Sequence, residues 1–181
     1  MAEFVLFCLP TLVYLTVRSR GRERTLSGAL ARAGATWGSP ADLRPALLLV
    51  FPLLVTGWLA VTLVPAEALT SPGVTIARVT SVGAAIAVVL RAVGEEVFFR
   101  GLLGGVLMRR LGLGWGNLLQ SALFLVPHLA LLLVDGGLWP ILPVQFAAGW
   151  MLGWLRHRTG SFVPGAAVHV VTNIAAGLLA A

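Results

Sequence analysis

Apolar stretches about as long as a bilayer is thick recur along the whole chain, separated by short polar connections. A hydrocarbon core of about 30 Å takes roughly 20 residues of helix. Inside it every backbone polar group must be satisfied within the protein, which leaves helices for segments of this length and kind. Six segments fit, over residues 2–17, 46–64, 74–108, 117–134, 138–155 and 162–181. The expected fold is all-α, a polytopic membrane bundle of about six transmembrane helices. Composition agrees: 58% of the residues are hydrophobic, 11% are charged, and the mean hydropathy is +0.93. A soluble domain carries about 25% charged residues, so a soluble enzyme, a disordered tail and a secreted disulfide scaffold are excluded. Glu3 stands where a signal peptide would be positive, so the first segment is read as a retained helix. The single cysteine, Cys8, excludes an internal disulfide and any cysteine-based metal site.

All 13 basic residues are arginine, giving a net charge of +6 and a pI near 11.5. The basic run from Arg18 to Arg24 lacks interleaved aromatic side chains, so nothing points to nucleic acid. In a membrane protein, arginines collect in cytoplasmic loops. Ten of the thirteen fall after the first, third and fifth segments, against Glu67 and Asp135 after the second and fourth. That alternation places both termini outside and the Arg loops in the cytoplasm of a multi-pass cell-membrane protein. The polar connections are expected at residues 18–44, 65–73, 109–116 and 156–161, with a turn at Asp135. Pro52 and Pro127 are candidate bends. The glycine pairs Gly101/Gly105 and Gly149/Gly153 read as close helix packing, and Trp115 and Trp139 as interface anchors. His157 reads as a solvated member of its Arg loop.

Several side chains inside the apolar segments are ones that lipid should reject: Arg91, Glu95, Glu96, Arg100, His128, His169 and Asn173. At about 1.5 Å per residue, Glu95 lies roughly 20 Å from the cytoplasmic end, His128 roughly 18, His169 roughly 12 and Asn173 roughly 18. Four polar groups from three helices therefore share one layer. His169 and Asn173 are four residues apart, as are Glu96 and Arg100, and Arg91 and Glu95. A carboxylate and an imidazole around one water make a general base, or supply ligands of a catalytic zinc. An imidazole and an amide beside them can donate to a developing oxyanion. The layout suits hydrolysis of an amide. Glu96 and Arg100 read as a structural ion pair. Arg91 would either hold Glu95 ionised or quench it in a salt bridge.

Glu95-Glu96-Val-Phe-Phe-Arg100-Gly101 resembles the first motif, EExxxR, of the CAAX-protease and bacteriocin-processing (CPBP) family of intramembrane proteases. Phe124-Leu-Val-Pro-His128 resembles its FxxxH motif, and His169-Val-Val-Thr-Asn173 its HxxxN motif. Order and spacing agree over roughly residues 79–181. The resemblance implies that Glu95 and His128 activate the attacking water, that His169 and Asn173 stabilise the oxyanion, and that Glu96 and Arg100 brace the site. It implies a protease core over 76–181, with residues 1–75 supplying N-terminal transmembrane helices and an Arg-rich loop. The implied partners are membrane lipid and a membrane-associated protein or peptide substrate, prenylated or a precursor. The motifs admit a metal-free glutamate mechanism, or Zn2+ held by Glu95, His128 and His169. A non-catalytic bacteriocin-immunity or binding protein on the same fold is the alternative. A transporter would show inverted repeats, and the sequence has none.

Overall fold

In the computed structural model, which describes residues 2–20, 25–69, 71–72 and 79–179, every regular element is helical. α1 spans Ala2–Ser19, α2 Leu26–Ala33, α3 Leu43–Thr62, α4 Ala66–Leu69 and α5 Val82–Glu95. A π-helical stretch, Glu96–Gly104, continues α5 into α6, Gly105–Leu129; α7 is Ile141–Thr159 and α8 is Val163–Leu179. The expected all-α bundle is what the chain adopts. Among the described residues, three helical stretches are long and apolar enough to cross a membrane, Ala2–Ser19, Pro40–Thr62 and Gly136–Thr159. The α5–α6 stretch, which carries six charged residues, is not among them, and α8 falls short in length. Residues 74–78 of the third expected segment, Arg22, Arg24 and Arg78, and residues 180–181 lie outside the described residues.

Local chemistry explains the boundaries. The Thr25 hydroxyl accepts from the Gly28 N–H at 3.1 Å, which starts α2, and Gly34 in left-handed conformation (φ 73°) ends it. The Ser81 hydroxyl likewise accepts from Ala84 N–H at the start of α5. Four details differ from the sequence expectation. The long polar stretch 18–44 contains the helix α2, because a capped amphipathic octet needs only one apolar face to dock. The loop 65–73 contains the single turn α4. Residues 109–111 extend α6, and the break comes at Gly112, whose φ of 74° only glycine adopts freely. Arg156, His157 and Arg158 form the last turn of α7 instead of a loop, where cations meet the helix's negative end. Pro52 and Pro127 sit inside α3 and α6 without ending them.

Lipid is the solvent for much of this surface. Leu6, Leu9, Leu47, Leu48 and Phe51 on α1 and α3 are exposed, with no polar face to set against them. The interior is closed by small residues. A Cβ at Gly149 would stand 3.3 Å from Phe124 and 3.4 Å from Ser121, so α7 rides directly on α6. One turn on, a Cβ at Gly153 would collide with the Asn117 amide oxygen. The facing stripe of α6 is polar and bonds to the α7 backbone: Asn117 Nδ2 donates to Trp150 O (3.0 Å) and Gln120 Nε2 to Gly149 O (2.9 Å), while among the described residues Gln120 Oε1 has no partner. The other expected pair, Gly101/Gly105, packs against the Ala33 and Arg32 carbonyls of α2. Trp115 and Trp139 are exposed, as interface anchors require.

Candidate active site

Glu95 is the last residue of α5, and Glu96 opens the π-helical stretch. A π turn pairs each N–H five residues back and recurs at functional sites because it redirects side chains and carbonyls. Here α1 supports it. The Thr11 hydroxyl donates to Val97 O at 3.2 Å, and Phe7 packs on Phe98 and Phe99 with ring centroids 6.1 and 5.7 Å apart. Glu96 and Arg100 are both fully buried, and Arg100 Nη1 lies 2.9 Å from Glu96 Oε1. The guanidinium also sits 4.3 Å above the Phe124 ring, a cation–π contact strengthened by desolvation. Among the described residues, Arg100 Nε and Nη2 have no hydrogen-bond partner.

Glu96 Oε1 also faces His169 Nδ1 at 2.9 Å. Gly165, four residues before His169, makes this approach possible: a Cβ there would stand 3.3 Å from Glu96 Oε2. A carboxylate accepts only, so Nδ1 of His169 carries a proton and Nε2 turns away from Glu96. That Nε2 lies 3.8 Å from Glu95 Oε2. His128 is oriented by the backbone: its Nδ1 is 2.9 Å from Phe124 O, so Nδ1–H donates there, and a neutral ring offers a lone pair at Nε2. Phe124 thus serves three neighbours, covering Arg100, receiving His128 and standing edge-on to His169 at 6.4 Å.

Glu95, His128, His169 and Asn173 all line one cavity of about 430 Å³. Glu96 and Arg100 do not reach it and sit behind His169. Apolar side chains of α3 and α7, among them Leu53, Val61, Ile141 and Val144, form the opposite walls. A family model for Rce1-like type II CAAX prenyl endopeptidases matches residues 77–175. The chain belongs to that family. Searches of curated proteins and of solved structures returned no match. At the level of the family this is a membrane protein with a CAAX-type protease domain, acting on membrane-associated protein.

Within this family member, Arg91 lines the cavity with Glu95 but makes its ion pair elsewhere. Its guanidinium grips Glu3 of α1 with Nε and Nη2, at 2.6 and 3.1 Å. Nothing in the residue spacing points to this partner, 88 residues away. Gln145, Thr56 and Thr172 also line the cavity and were not singled out, since single uncharged polar residues are common in membrane helices. The stripe Asn117, Gln120, Ser121, Phe124 and His128 follows helical periodicity and was available as a signal. His157 is exposed at the end of α7, far in sequence from every cavity residue of that helix's first half. Zinc would need Glu95, His128 and His169 to aim lone pairs at one point. Among the described residues no group of three His, Cys, Asp or Glu side chains is placed to hold a metal. The donors as arranged do not fit the ion.

Proposed function

We propose that this chain is an intramembrane endopeptidase that cuts a peptide bond of a membrane-associated protein or peptide, prenylated or a precursor. The observation that carries the reading is the gathering of Glu95, His128, His169 and Asn173, from three helices, around one half-apolar cavity. Water attacks the scissile carbonyl carbon and gives its proton to the Glu95 carboxylate. His128, with its Nε2 lone pair, accepts from the same water and fixes its direction. The 3.8 Å gap between Glu95 and His169 exceeds a hydrogen bond and suits a group held between them. The oxyanion takes hydrogen bonds from the Asn173 amide and from His169 Nε2–H. With Nδ1–H committed to Glu96, Nε2 donates only when the ring carries both protons. Collapse of the tetrahedral intermediate breaks the C–N bond, and the proton held by Glu95 passes to the leaving amine.

The proposal includes six crossings, both termini outside, Arg loops in the cytoplasm, and a protease core at 76–181 preceded by helices at 1–75. The immunity or binding alternative predicts that a shape-preserving change at Glu95 is silent. The test compares membrane-proteome fragments by mass spectrometry from cells expressing wild type or Glu95→Gln at matched levels. Peptide termini found only with wild type establish the protease and name its substrate. Identical fragment sets from two folded proteins overturn it. Repeating the comparison with a zinc chelator in lysed membranes separates a metal-dependent from a metal-free reaction.

A further inference from the structure

A second arginine is buried away from the cavity. Arg156, in the last turn of α7, is 8% exposed, and among the described residues no carboxylate lies within ion-pair distance of it. Its Nε has no hydrogen-bond partner, and its Nη2 reaches the Arg32 carbonyl only at 3.4 Å. Arg109 of α6 donates to that same carbonyl from Nη1 at 2.8 Å, and from Nη2 to the Tyr14 hydroxyl at 3.3 Å. Two guanidinium groups therefore flank one oxygen at the C-terminal end of α2. Glycines make room for them: a Cβ at Gly105 would stand 3.1 Å from Arg109 Nη1 and 3.6 Å from Arg156 Nη2, and a Cβ at Gly34 would collide with the Arg156 guanidinium.

Capping α2 does not account for this arrangement. The end of a helix carries about half a negative charge, which leaves two full cations close together and mostly uncompensated. A buried charge without a partner is costly. A phosphate removes the imbalance, and its oxygens match the planar fork of arginine. Arg109 is exposed, so the cluster opens at the end of the bundle, and neither arginine lines the cavity.

We propose that Arg109 and Arg156, held beside the last turn of α2, form an anion site that takes a phosphate with no second ester, carried by a lipid headgroup or free in solution. An occupant there ties α2 to α6 and α7 at one end of the bundle. The full chain, purified in neutral detergent, is assayed by native mass spectrometry and thermal unfolding with phosphatidic acid, phosphatidylcholine or inorganic phosphate. The expected result is retention of phosphatidic acid over phosphatidylcholine, with a raised melting midpoint. Arg109→Gln and Arg156→Gln should each weaken this about tenfold or more, since each removes charge-assisted hydrogen bonds. Arg158→Gln, an exposed neighbour, should leave it unchanged. Stabilisation by inorganic phosphate alone assigns the site to a soluble phosphate, and stabilisation by lipid alone to a headgroup. If neither anion differs from phosphatidylcholine, or if Arg158→Gln weakens binding as much as Arg109→Gln, the site does not exist. Arg109 is exposed, so its variant carries the test even where Arg156→Gln fails to fold.

Discussion

Replacing Glu96 by glutamine separates the support of the site from its chemistry. Glu96 Oε1 faces both Arg100 Nη1 and His169 Nδ1 at 2.9 Å, and both Glu96 and Arg100 are fully buried. Glutamine keeps the shape and an acceptor oxygen but leaves the Arg100 cation without a counter-charge, with the Phe124 ring 4.3 Å away. Removing one partner of a buried pair costs about 3–5 kcal/mol. For a chain of this size about 2–4 °C of melting temperature goes with each kcal/mol, so the midpoint in detergent should fall by about 6–20 °C. Cleavage of the substrate found with Glu95→Gln as control should fall about 10–100-fold, as for a lost orienting carboxylate. Glu96→Gln/Arg100→Met removes both charges and recovers most of the stability, because no buried charge is left without its counter-charge. It does not restore cleavage, because His169 still lacks its counter-charge. Two results refute the reasoning: a Glu96→Gln midpoint within about 2 °C of wild type, or a double variant that regains cleavage together with stability.

Gly153→Ala should be more destabilising than Gly149→Ala, by about 1–3 kcal/mol of overpacking. The added methyl collides with the Asn117 amide oxygen in the first case, and in the second only tightens contacts of 3.3 and 3.4 Å. Urea or thermal unfolding that ranks the two in the reverse order removes the packing argument. Acid should loosen the 135–138 turn. The Ser71 hydroxyl (2.6 Å) and the Gly137 N–H (2.8 Å) hold the Asp135 carboxyl below its usual pKa. A depressed folded pKa means that this contribution is present above the unfolded carboxylate value and is lost as pH falls through the folded one. Ser71→Ala should therefore shrink the difference in melting midpoint between pH 7 and pH 3. An unchanged difference shows that the hydroxyl does not act on Asp135.

Periodicity and solvent physics alone determined that this chain is helical and meets lipid, because no other structure satisfies its backbone inside such apolar stretches. The spacing of Glu95, His128, His169 and Asn173 likewise predicts one shared layer, since rise per residue is fixed in a helix, and all four line the same cavity. What lay beyond the sequence was everything that depends on rotation and lateral neighbours. A helix fixes depth but not which helix stands beside it. Thus Arg91, one turn from Glu95, turns to Glu3 on α1, and Glu96 serves His169 on α8 as well as Arg100 on its own turn. The π-helical stretch, too, is a response to packing: residues 96–104 have no local signal that separates π from α, and the widened turn is braced from α1 by Thr11 and Phe7. The pairing of Arg109 and Arg156 over one carbonyl of α2 is of the same kind, because sequence counts charges, and only tertiary structure decides which of them are left facing each other.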